Sequence, residues 1–92
     1  MFLARRYRIR GRVQGVGYRY FALDSALRLG VRGYVRNLPG GDVEAVAEAE
    51  GDALAQFRAE LERGPALSRV VEVVEEELPA TGQFASFQIR GS

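Results

Sequence analysis

The chain predicts an α+β sandwich of element order β-α-β-β-α-β with a short fifth strand, its two helices on one face of a mostly antiparallel sheet. Three observations carry this. Arg6, Arg8, Arg10 and Arg12 alternate with Tyr7, Ile9, Gly11 and Val13, the period of a half-buried strand. Tyr18 to Leu29 and Asp52 to Arg63 each place apolar residues at helical spacing along one stripe. Between them, two strand-like runs flank Leu38-Pro39-Gly40-Gly41, whose composition is that of a turn. A helix with one apolar stripe has one face to bury, so both helices must cover the same side of the sheet.

The elements follow in order. The first strand keeps its arginines on the wet face and Tyr7 and Ile9 on the core face. A glycine-rich loop leads to the first helix, with Tyr18, Phe21, Ala22, Ser25, Ala26 and Leu29 on its stripe and Gly30 as its stop. Val31 to Asn37 and Val43 to Glu50 are the second and third strands, paired as a hairpin over residues 31–50. The second helix opens with Asp52, which suits the positive end of its dipole, and buries Leu54, Phe57 and Leu61. Gly64-Pro65 ends it. Ser68 to Glu77 is the fourth strand and Phe84 to Arg90 the short fifth. Phe21, Phe57, Phe84 and Phe87 read as core or rim. Tyr18 and Tyr20 are both placed to stack on a substrate, with one of the two expected in the core. This is the ferredoxin-like arrangement, in which the first strand lies between the third and the fourth.

That order bears on the charges. Residues 1–37 carry nine arginines and one acid, whereas residues 38–92 carry four arginines and eleven acids, and no lysine is present. Glu44, Glu48 and Glu50 fall on the wet face of the third strand, Glu72 and Glu76 on that of the fourth. The arginine stripe is therefore expected to be a salt-bridged solvent face, which argues against a specific nucleic-acid partner. Ferredoxin-like RNA-binding modules expose stacking aromatics on their first and third strands. Here the first exposes arginines and the third has no aromatic residue. Glu75-Glu76-Glu77 reads as a solvated charge run.

The 92 residues predict a single domain, residues 1–92, with a radius of gyration of about 12 Å. No apolar run approaches a membrane span, and Met1 to Ala4 is too short for a signal-peptide core before Arg5 and Arg6. The chain has no Cys and no His, so disulfides are absent and a zinc or copper site is not expected. A cytoplasmic protein is expected.

The chemistry concentrates in Gly11-Arg12-Val13-Gln14-Gly15-Val16-Gly17-Tyr18-Arg19. A strand leads through two closely spaced glycines into the first turn of a helix. Such a loop turns backbone N–H groups inward and adds the positive end of the helix dipole, which makes an anion cradle. Arg19 can grip a phosphoryl group bidentately. A cysteine-dependent phosphatase places its nucleophile six residues before the loop arginine; that position here is Val13.

These residues resemble the acylphosphatases. The family's first motif, G-x-V-Q-G-V-x-x-R, is matched by Gly11, Val13, Gln14, Gly15, Val16 and Arg19. The second, roughly G-W-V-x-N-x-x-D-G-x-V-E, is similar to Gly33-Tyr34-Val35-Arg36-Asn37-Leu38-Pro39-Gly40-Gly41-Asp42-Val43-Glu44. Tyr34 stands where the family often has Trp, which bears on packing. Gly40 stands where it often has Asp, which bears on the turn, with Asp42 a partial replacement. The resemblance spans nearly the whole chain. It implies hydrolysis of a small acyl phosphate to a carboxylate and inorganic phosphate by a monomer, with no cofactor, no metal and no covalent intermediate. Inorganic phosphate is then both product and inhibitor. By the same resemblance Arg19 binds the phosphoryl group and Asn37 orients the attacking water. The amides of Gln14, Gly15, Val16, Gly17 and Tyr18 then cradle the phosphoryl oxygens.

Overall fold

A computed structural model describes residues 1–91. It contains β1 (Phe2–Arg12), α1 (Tyr18–Leu29), β2 (Arg32–Asn37), β3 (Val43–Glu50), α2 (Gly51–Arg63), β4 (Arg69–Leu78) and β5 (Phe87–Arg90). The strands form one sheet in the order β4-β1-β3-β2-β5, so β1 lies between β3 and β4 as expected. All neighbours are antiparallel except β2 and β5, which run parallel. The radius of gyration is 11.8 Å.

Both helices pack on one face. Tyr7 and Ile9 of β1, Val35 of β2, and Ala45, Ala47 and Ala49 of β3 meet Tyr18, Ala22 and Ala26 of α1 and Leu54, Phe57 and Leu61 of α2. The three alanines on β3 are short enough to let the helices approach the centre of the sheet. Phe57 fills the middle of the layer, with its ring edge-on to Tyr7 at 6.0 Å and to Phe87 at 5.7 Å between centroids. Phe21 and Phe84 are half-buried at the rim. The two helices are linked by Ser25, which donates to Glu60 at 2.5 Å, and by Arg28, which pairs with the same carboxylate.

The outer face carries the arginine stripe, and most of it is paired. Arg6 reaches Glu76 at 3.0 Å and Glu44 at 3.5 Å, and Arg10 reaches Glu72 at 2.7 Å. Arg8 pairs with Asp42 at 2.7 Å instead of with a strand glutamate. Three expectations need correction. Glu48 is not on a solvated face: it is only 2 % exposed. Its carboxylate accepts from the Thr81 amide and hydroxyl, both at 2.9 Å, and from the Gly82 amide at 2.9 Å. The segment joining β4 to β5 must travel from one edge of the sheet to the other, and Glu48 pins it across the outer face. Glu50 pairs with the N-terminal amine at 2.8 Å and takes no part in the stripe. The fifth strand is also shorter than expected. Phe84 precedes it and packs on Tyr34 of β2, centroids 6.1 Å apart.

Candidate active site

The site lies where β1 and β2 end. Antiparallel pairing to β3 brings both C-terminal ends to the same end of the sheet, with Ile9 and Asn37 each opposite Val43. From β1 the chain turns through residues 13–17 into α1. Gly15 and Gly17 have φ of +75° and +78°. That left-handed conformation costs a residue with a Cβ roughly 1–2 kcal/mol, so glycine is the cheap choice at both positions. Gly17 is the N-cap of α1 and offers no side chain to its first amides. The N–H groups of Tyr18, Arg19 and Tyr20 open the helix and have no preceding turn to accept them. They stay available to an anion, at the positive end of the helix dipole.

A cavity of about 180 Å³ opens on this loop. Its walls include Gly15, Gly17, Arg19, Tyr20 and Asn37. Arg19 and Asn37, eighteen positions apart in the sequence, thus share one cavity, as the motif resemblance implies. Among the described residues the Arg19 guanidinium and the Asn37 carboxamide have no hydrogen-bond or ion-pair partner. That sets Arg19 apart from Arg6, Arg8 and Arg10, whose charges are answered within the sheet.

The other sequence-predicted residues divide. Gly15 and Gly17 line the cavity, and so does Tyr18. The Tyr18 ring is buried in the core, however, and its hydroxyl donates to the Leu61 carbonyl at 2.7 Å. Burial raises its pKa well above the ordinary tyrosine value. Val16 packs against the core. The Gln14 side chain has a task that the sequence did not show: Nε2 donates to the carbonyls of Leu38 and Asp42, both at 2.8 Å. It ties the glycine loop to the β2–β3 turn that begins just after Asn37. Within that turn the Leu38 amide donates to the Asp42 carbonyl at 2.8 Å. The Asp42 carbonyl closes the turn, while its carboxylate is taken by Arg8. Tyr34 lies away from the cavity, on the outer face beneath the Arg90 guanidinium, 3.8 Å from its ring centroid.

A larger cavity, about 250 Å³, lies between the start of β1 and α2. Its charged groups answer one another: Glu75 takes Arg5 at 3.2 Å and Arg58 at 2.7 Å. An anion would have to displace Glu75 there, whereas at the glycine loop it meets an unshared arginine.

Comparison with known proteins agrees. The acylphosphatase family model matches residues 5–89. An acylphosphatase of Pasteurella multocida is 41% identical over 88 residues, covering 96% of this chain and 98% of its own. One of Thermus thermophilus is 57% identical over 65 residues, covering 71% of this chain and 74% of its own. The crystal structure of acylphosphatase from Bacillus subtilis superposes with a TM-score of 0.92 at 33% identity, covering 98% of this chain and 99% of that one. The chain belongs to the acylphosphatase family and is an enzyme that hydrolyses acyl phosphates.

Proposed function

We propose that Arg19 and Asn37 divide the chemistry between them. The phosphoryl group sits in the cradle, its oxygens taken by the amides of residues 15–19 and by the Arg19 guanidinium. Asn37 holds the water in line with the bond to be broken. The water oxygen attacks phosphorus, the P–O bond to the acyl group breaks, and the carboxylate leaves with the bonding electrons. The water's proton passes to a phosphoryl oxygen. A carboxylate is a good leaving group, so no general acid is needed, and positioned donors stabilise the charge spread over the phosphoryl oxygens. The chain has no Cys or His to act as a covalent nucleophile. Among the described residues no group of three or more acidic side chains is placed to hold a metal ion. In this reading the reaction is direct and uses no metal. Inorganic phosphate remains in the same cradle as product and competes with substrate. The chain acts as one domain, as a cytoplasmic monomer.

The observation that carries this reading is the single cavity uniting two unpartnered polar side chains with a glycine loop at a helix N-terminus. The test is phosphate release in excess EDTA from acetyl phosphate and, separately, from phenyl phosphate, a monoester with a poorer leaving group. Turnover of the first and not the second is expected. Loss of turnover in EDTA, restored by magnesium, would contradict the mechanism.

A further inference from the structure

The cradle accounts for the phosphoryl end of the substrate and leaves the acyl end without a partner. Residues 18 and 20 are separated by about 200° around a helix, so they point to opposite sides. Tyr18 goes into the core, and Tyr20 goes out. Tyr20 is 71% exposed, the most exposed aromatic side chain among the described residues. Its hydroxyl has no hydrogen-bond partner among them. It nevertheless lines the same cavity as Arg19 and Asn37. The other apolar side chains of that wall, Val13 and Tyr18, are buried beneath it, 1% and 2% exposed. An acyl group leaving the cradle therefore has one accessible apolar surface to lie against, the Tyr20 ring.

We propose that Tyr20 reads the acyl group. Its ring forms the wall on which the acyl portion of the substrate rests, and it favours planar, aromatic acyl phosphates over small aliphatic ones. The assignment rests on the cradle reading above. An acetyl group is too small to gain much from the ring, whereas a benzoyl group can stack offset or edge-on against it. The hydroxyl plays no part, because the recognition is by the ring.

The experiment compares kcat/KM for benzoyl phosphate and acetyl phosphate in the natural protein, Tyr20→Ala, Tyr20→Phe and Tyr20→Leu. Inhibition by inorganic phosphate is measured alongside. An aromatic contact of this kind corresponds to a change of roughly three- to tenfold. Tyr20→Ala should lose that much for benzoyl phosphate and less than twofold for acetyl phosphate. Tyr20→Leu should fall between. Tyr20→Phe should behave as the natural protein. The inhibition constant for phosphate should be unchanged throughout, since the cradle is intact. An unchanged substrate ratio in Tyr20→Ala overturns the proposal. So does an equal loss in Tyr20→Phe, which would assign the effect to the hydroxyl. Failure of the cradle reading looks different: phosphate would not inhibit the natural protein with either substrate.

Discussion

Gln14 shows how a side chain can serve a site by holding its parts together. Its carboxamide has two donor hydrogens, and two backbone carbonyls take them. The glycine loop and the turn after Asn37 are thereby held at one spacing, and with them the two halves of the site. Gln14→Ala should cost about 1–2 kcal/mol of stability, the usual loss when hydrogen-bonded acceptors are left unsatisfied. Gln14→Glu should cost more although it keeps the shape, because a carboxylate would face two carbonyl oxygens. Urea titration of both variants gives the comparison. Turnover should fall more than phosphate inhibition weakens in either, since Asn37 is displaced relative to Arg19. Nothing in the sequence near Gln14 reveals this role. Its partners lie twenty-four and twenty-eight positions away, across a contact that only the folded chain makes. Gly15 and Gly17, by contrast, were legible, because the need for positive φ acts on the residue itself.

At the scale of elements, what repeats along the chain was legible and what depends on a crossing was not. The alternation of Arg6 to Val13 gives β1, and the stripes of Tyr18 to Leu29 and Asp52 to Arg63 give the helices, each to within a few residues. Placing β1 between β3 and β4 then set arginines against acids, and Arg6 and Arg10 find glutamates on these neighbours. The segment 79–83 has no period to read, so the burial of Glu48 beneath it could not be seen. Burial alone would push the Glu48 carboxyl up, but the hydrogen bonds from Thr81 and Gly82 outweigh it and hold the carboxyl below the ordinary glutamate value. A depressed folded pKa stabilises the fold above the ordinary value, and that contribution is lost as the pH falls through the folded one. Glu48→Gln should therefore cost about 1–3 kcal/mol at neutral pH by urea titration. The gap to the natural protein should narrow in acid, below the ordinary glutamate range. A gap of constant size down to acid pH would show that the carboxylate charge contributes nothing there.

The whole molecule is one sheet, one helical layer and a candidate site at the end of the sheet where β1 and β2 stop. Its core contains two tyrosines, Tyr7 and Tyr18, and burial raises the pKa of both. For Tyr7 burial is the main cause, with Glu75 adding to it and Arg5 and Arg58 opposing, and the hydroxyl is pushed up to about 12. Folding therefore favours the protonated phenol. This stabilisation is fully present below the ordinary tyrosine value of about 10 and is lost as the pH rises from there through about 12. Thermal melts should show a steep alkaline fall across that window. Tyr7→Phe should flatten part of it, and a fall of unchanged depth in that variant would count against the assignment.

In the proposed mechanism two unpartnered side chains do different things, and the most direct measurement separates them. Steady-state turnover of acetyl phosphate and competitive inhibition by inorganic phosphate are recorded together for Arg19→Ala and Asn37→Ala. Arg19 meets a group that is charged in both substrate and transition state, so Arg19→Ala should weaken phosphate inhibition as well as turnover. Arg19→Lys should recover little of either, because an ammonium cannot reproduce the guanidinium fork. Asn37 is proposed to hold water on the way to the transition state. Asn37→Ala should keep phosphate inhibition nearly intact while kcat falls by on the order of a hundredfold or more. Near-full kcat in Asn37→Ala, or unchanged phosphate inhibition in Arg19→Ala, would contradict the account.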